Sequence, residues 1–199
     1  MESSAGAAAR DGVGKGPRER VRQAVMGATK ELLKEVGFAR LTVDAIAERS
    51  GVGKATVYRW WSNRADVAMD ALLEERAPIG WFVQEGPALE NLRTQLLVAT
   101  EFLGGPTGRM VAGLVGDAQH DPQIAAAFRQ RFLGPLFDLT RRLLAQAVEE
   151  GDVRPDVDPD TLIDMLTGSL YFRLLVTGEP LSAGRTERLI DAVMRGARP

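Results

Sequence analysis

Apolar residues along this chain recur at helical intervals and do not alternate over any useful length. Between about 17 and 36, Val21, Val25, Ala28 and Leu32 fall on one stripe. Pro17 suits the first turn of that helix and Gly37 its end. Val43, Ile46 and Ala47 give a second, shorter apolar face that stops at Ser50-Gly51. Val52 follows as an apolar plug, and a third helix is predicted from about 53 to 60. A fourth is predicted over 64–76, with Asn63 as its cap and Pro78 beyond its end. Downstream, helices are predicted over 87–103 and 107–118, separated by the breaker Gly104-Gly105-Pro106. Asp121-Pro122 and Asp158-Pro159 each read as an N-cap followed by a proline at the first helical position. The first opens a segment that runs to Gly151, which Gly134-Pro135 is expected to kink or split; the second opens one that ends near Gly178. A last helix covers about 182–195. The class is all-α.

The segment from Thr42 to Arg64 has a chemistry of its own. Thr42 can cap the first short helix through its hydroxyl, and Asp44 puts negative charge where the helix dipole favours it. Gly51 supplies the positive φ that a sharp helix-to-helix turn needs. The helix beyond it has little to bury. Val57 and Trp61 face inward, leaving Lys54, Thr56, Tyr58, Arg59 and Trp60 outward. That is the pattern of a helix-turn-helix, whose second helix lies in the DNA major groove. Lys54 and Arg59 offer donors for guanine, Ala55 a methyl for thymine, and Thr42, Thr56, Tyr58 and Arg64 groups for phosphate. Tyr58 also stands among the groove-facing residues.

The stretch from about Arg18 to Leu73 resembles the DNA-binding domain of the TetR family of bacterial transcriptional regulators. Gly37-Phe38, Leu41-Thr42-Val43-Asp44-Ala45-Ile46-Ala47, Ser50-Gly51-Val52, Thr56-Val57-Tyr58 and Asn63-Arg64 carry the resemblance. Gly53 stands where a capping residue is frequent, at a cost of about a few tenths of a kcal/mol. Trp61 stands where a smaller aromatic is usual. The resemblance implies a homodimeric regulator, expected to be a repressor, that reads a pseudo-palindromic operator and is released by a small effector bound in the body. The domains then read as an arm over 1–16, a three-helix head over 17–63, a connecting helix over 64–80 and a helical effector-binding and dimerisation body over 81–199.

Net charge is −2, unusual for a nucleic-acid binder, but its distribution changes the picture. Residues 1–66 hold 12 Lys and Arg against 8 Asp and Glu, whereas residues 67–199 hold 13 against 19. A basic head on an acidic body attracts phosphate at one end only. There is no cysteine, so disulfides and thiolate metal sites are excluded. No run of 18 apolar residues and no signal-peptide core appear, so a cytoplasmic protein without a membrane partner is expected.

Other chemistry reads as weak. Gly12-Val-Gly-Lys-Gly and Gly51-Val-Gly-Lys-Ala lack the leading glycine and the Ser or Thr of a phosphate loop. His120 with Asp117 and Asp121 is helix-spaced for a metal, but Asp121 has a capping role, and an exposed loop histidine is the better reading. No catalytic constellation, metal site or cofactor is expected, which leaves an enzyme with an incidental helix-turn-helix as the weaker alternative. Control by a protein partner is the other. The effector pocket, for a hydrophobic or aromatic small molecule, is placed among Phe102, Met110, Phe128, Phe132 and Tyr171. Trp81, Phe82, Phe137 and Phe172 read as core, and Arg173 as an arginine paired across an interface, reaching a pocket, or snorkelling at the rim of an apolar face. The dimer interface is placed on the stripe Leu162, Leu166, Leu170 and Leu174, with Gly168 and Ser169 allowing close approach.

Overall fold

The computed structural model describes residues 16–76 and 85–199, and every regular element among them is helical. Pro78, Trp81, Phe82 and all but the last position of the expected arm lie outside the described residues.

The head begins with α1 (Pro17–Glu35), whose Val25, Ala28 and Leu32 are buried as their spacing predicts. A single 3-10 turn (Phe38–Arg40) leads to α2 (Val43–Ser50). The Thr42 hydroxyl accepts from the Ala45 N–H at 3.1 Å and caps α2. Arg49, in the last turn of α2, forks onto Glu35 of α1 at 2.9 and 2.8 Å and pins the two helices together. Gly51 takes φ 67°, which a side chain would resist, and the chain turns into α3 (Lys54–Trp60).

Helix α4 (Arg64–Arg76) is more than a connector. Asn63 caps it, accepting from the N–H groups of Ala65 and Asp66 at 2.8 and 3.0 Å. Ala65, Val67, Ala68, Met69, Ala71 and Leu72 are all buried, because α4 packs on α1 within the head and on α6 of the body. Its alanines keep it thin enough to be covered on both sides.

The body is built on α5 (Ala88–Gly104), which packs against α6 (Pro106–Ala118), α8 (Gly134–Glu149) and α10 (Ala183–Ala197). Asp121 and Asp158 cap α7 (Pro122–Ala127) and α9 (Pro159–Phe172), as their Asp-Pro pairs predict. The segment is divided just before Gly134-Pro135, in keeping with the expected split, and the division takes the form of a change of helix type. A π-helical segment, Phe128–Leu133, joins α7 to α8, with the Gly134 N–H reaching back five residues to the Arg129 carbonyl. One extra residue in the turn widens the helix and carries the chain past a proline that has no N–H to give. A second π segment, Arg173–Thr177, ends α9, so the long helix expected to near Gly178 is regular only to Phe172.

Helix α9 also corrects the reading of its apolar stripe. Leu162, Leu166 and Leu170 are 4%, 0% and 3% exposed, filling the core of their own protomer. Leu174 is half-buried and packs against that core. The large apolar side chains left in solvent are instead Met165, Phe172, Leu175 and Val176, with Gly168 exposed and Ser169 half-buried beside them.

Candidate nucleic-acid interface and body cavity

Helix α3 is held from beneath by two side chains. Val57 is fully buried, and Trp61, at the C-cap, is 5% exposed. The Trp61 indole donates to Asp70 of α4 at 2.8 Å, which fixes the end of α3 to the helix that meets the body. The opposite face is open. Lys54, Ala55, Tyr58, Arg59 and Trp60 are exposed and Thr56 is half-buried. Trp60 leans on Trp61 with ring centroids 5.6 Å apart. The Arg59 guanidinium donates to the Thr56 hydroxyl at 3.3 Å, and the Lys54 ammonium pairs with Asp44 at 2.6 Å. That hydrogen bond, reinforced by the carboxylate's charge, holds the Lys54 ammonium above its ordinary range. Thr42 presents an exposed hydroxyl at the start of α2 while capping it.

One residue near this face escaped the sequence pattern. Arg18, in the first turn of α1, lines a surface groove with Thr56, Arg59 and Trp60. Nothing in the helix-turn-helix spacing points to it, since folding alone brings α1 beside α3.

Arg64 is placed differently from the phosphate role expected of it. It is half-buried, and its guanidinium donates to the carbonyls of Phe38, Ala39 and Leu41 at 3.3, 3.1 and 3.4 Å. The same group pairs with Asp117 of α6 at 2.7 Å and lies over the Phe38 ring at 4.8 Å. Arg64 therefore joins head to body. Asp117 is committed to it, Asp121 caps α7 through bonds from Gln123 and Ile124, and His120 sits exposed in the turn between them. Among the described residues no group of His, Cys, Asp or Glu is arranged to hold a metal, and no helix is long and apolar enough to cross a membrane.

The body contains an inner cavity of about 40 Å³ between α5, α8, α9 and the first π segment. Of the residues expected to form a pocket, Phe132 and Tyr171 line it. Phe128 and Tyr171 line a wider outer groove of about 410 Å³, which shares Leu133, Phe137, Thr167 and Tyr171 with the cavity. Phe102 and Met110 line neither. They are buried behind it, Phe102 stacking on Phe132 at 6.2 Å. Gln95 and Thr140, polar residues inside apolar stripes, line the cavity without having been expected there. Burial pushes the Tyr171 phenol above its ordinary range, so it stays neutral.

The π segment ties this cavity to the head. Arg131 pairs with Asp70, the same carboxylate that holds Trp61. Arg76 of α4 donates to the Phe132 carbonyl at 2.8 Å and lies 5.3 Å from the Phe132 ring centroid. Desolvation there lowers the pKa of Arg76. A wall of the cavity and the end of α3 thus share one helix, α4.

Comparison with known proteins agrees with this geometry. Residues 25–71 match the family described as "Bacterial regulatory proteins, tetR family", and residues 83–193 match "Tetracyclin repressor-like, C-terminal domain". The chain is 33% identical over 183 residues to the HTH-type transcriptional regulator YdeS of Bacillus subtilis (strain 168), across 90% of this chain and 91% of that protein. It is 28% identical over 175 residues to the DNA-binding transcriptional repressor TetR of Mycobacteroides abscessus, across 86% and 90%. The solved structure of the TetR family transcription regulator SCO0332 matches with a TM-score of 0.74 at 35% identity, over 90% of this chain and 100% of that one.

Proposed function

The chain belongs to the TetR family of bacterial transcriptional regulators, and on that premise we propose that it is a homodimeric repressor, released from a pseudo-palindromic operator by a small apolar effector. It is a DNA-binding regulator and not an enzyme. The observation that carries the operator reading is the two-sided build of α3. Val57 and Trp61 anchor the helix, while Lys54, Tyr58, Arg59 and Trp60 are left outward on a short helix that buries nothing else. Lys54 and Arg59 read base edges with Tyr58 and Ala55, and Thr42, Thr56 and Arg18 hold phosphate. A single helix-turn-helix has a small footprint, and two heads about one helical turn apart read successive major grooves.

The second copy docks on the exposed apolar surface of Met165, Phe172, Leu175 and Val176, beside Gly168 and Ser169. An effector enters the outer groove, widens the inner cavity and displaces the first π segment. Through Arg131, Asp70 and Arg76 that displacement reaches α4 and the end of α3. The effector acts to the extent that it binds the released arrangement more tightly than the operator-bound one.

Selection of genomic fragments with the purified protein is expected to enrich one near-palindromic sequence. Affinity for it should fall about a thousandfold or more between 50 and 200 mM salt, if the two heads together neutralise about six or more phosphates and so release their counterions. Enrichment of no sequence overturns the operator reading. Within the operator, Arg59→Ala should cost about 1–3 kcal/mol and relax the preference at one base pair, whereas Arg18→Ala should weaken all duplexes alike. Uniform losses for both variants would remove Arg59 from the base readers.

A further inference from the structure

One residue lining the inner cavity, Gln95, has a buried hydrogen-bond acceptor with nothing to accept from. Gln95, on α5, is 8% exposed, and its side-chain oxygen Oε1 has no partner among the described residues. The orientation of this amide is fixed by its neighbours. The Thr140 hydroxyl donates its one proton to the Leu136 carbonyl at 2.9 Å. Toward Gln95 the Thr140 oxygen can therefore only accept, and it does so from Nε2 at 2.9 Å. The Leu136 carbonyl, 3.5 Å from Nε2, also only accepts. Turning the amide over would set oxygen against two acceptors, so Oε1 must be the atom left over.

The rest of the cavity does not supply the missing donor. The Thr167 hydroxyl is spent on the Ile163 carbonyl at 2.7 Å. The Tyr171 phenol, the one other polar group of the lining, is not bonded to Oε1; the remaining lining is aliphatic or aromatic, and no charged side chain lines the cavity. A buried acceptor left unmet is costly, and a buried ion without a counter-charge costs far more.

We propose that the effector of this protein is a neutral, largely apolar molecule bearing a single hydroxyl or N–H donor, which it delivers to Gln95 Oε1. This rests on the reading that the body cavity is the effector site. The apolar portion of the molecule lies along Phe132, Phe137 and Tyr171 and extends into the outer groove through the residues the two spaces share. Inside the inner cavity carboxylates are excluded by the bare oxygen and by desolvation, since the charged Arg129 and Asp164 line only the outer groove, and ethers are excluded because they bring a second acceptor. Thr140 is a positioning residue: it sets the polarity of the amide without offering a donor itself.

The probes are 4-hydroxybiphenyl, 4-methoxybiphenyl and biphenyl-4-carboxylate, with binding to the 199-residue chain measured by calorimetry. The phenol is expected to bind about tenfold or more tightly than either analogue, the usual scale for meeting a buried acceptor. Gln95→Met keeps the length of the side chain and should abolish the preference of phenol over ether. Thr140→Val, a milder change of nearly equal size, should reduce it by freeing the amide to turn. If the probes bind but phenol and ether bind alike, or if Gln95→Met leaves the preference intact, the donor assignment is wrong while the cavity survives as a ligand site. A phenol that binds equally well after Leu133→Trp, which fills the passage, lies outside this cavity, and the donor assignment falls with it. If no probe binds, both the assignment and the cavity reading fail, and a bound water satisfying Oε1 becomes the better account.

Discussion

Phe172→Glu combined with Val176→Glu is expected to leave a folded monomer whose operator affinity is about 10²–10⁴-fold lower than that of the parent. Phe172 and Val176 are 57% and 69% exposed, so the protomer loses almost nothing when they become polar. What it loses is the partner that holds the second head at the neighbouring groove. Two glutamates on each copy would face two on the other, in a surface otherwise apolar through Met165 and Leu175. Leu166→Ala supplies the contrast. Leu166 is fully buried in its own protomer, and its truncation should cost about 2–5 kcal/mol of folding stability, lowering Tm before it touches association. Sedimentation and thermal unfolding of the two variants separate the cases. A glutamate double variant that remains a dimer at micromolar concentration places the interface elsewhere.

The contrast shows why the head was legible in the sequence and the outward face of α9 was not. A helix-turn-helix is local: its cap, turn and outward side chains lie within 23 residues, Thr42 to Arg64. Each has a short-range physical cause, such as the hydroxyl of Thr42 or the positive φ of Gly51. A stripe such as Leu162, Leu166 and Leu170 announces only that something covers it. Whether the cover is α5 and α8 of the same chain or a second copy depends on tertiary packing, which spacing does not encode. The outward residues belong to the same long apolar segment: Met165 and Phe172 lie on the regular turns of α9, while Leu175 and Val176 lie on its final π turn, which shifts their phase relative to a regular helix.

The cavity was partly legible for a similar reason. Aromatic residues at helical spacing marked the correct helices, and Phe132 and Tyr171 do line the inner space. The amide that gives the cavity its chemistry was hidden, because Gln95 in an apolar stripe looks like a boundary residue until α8 brings Thr140 to it. The long-range pairs Arg64 with Asp117 and Asp70 with Arg131 span 53 and 61 residues. In the sequence these are ordinary charges among many, and Arg64, a cation at the end of the motif, carries no sign that its partner is Asp117 rather than a phosphate.

A single side chain at position 113 is expected to release the protein from its operator without any effector. Gly113 of α6 lies against the 3-10 turn of the head. A Cβ there would stand 2.5 and 2.7 Å from Cβ and Cγ of Phe38, closer than carbon atoms pack. Phe38 has little room to yield, being 4% exposed with the Arg64 guanidinium over its ring. Gly113→Val must therefore push α6 away from the head, and the Arg64–Asp117 pair, four residues further along α6, loosens with it. Overpacking of this kind costs about 1–3 kcal/mol. If the junction of α6 with the head carries the coupling, the operator-bound arrangement bears that cost, and operator affinity falls about 5–150-fold. The inner cavity is built from other elements, α6 bordering only the outer groove through Val115 and Ala118, so affinity for an apolar probe small enough to stay in the inner cavity should be unchanged or higher. Gly116→Val is the control, since a Cβ at Gly116 meets nothing within 4 Å on the same helix. It carries the same loss of glycine and the same β-branching but no wedge, and should bind operator like the parent. Equal behaviour of the two variants would mean that the contact between α6 and the head does not transmit the signal, leaving the pairs of Asp70 and Arg76 with the π segment as the only described link from the cavity to α3.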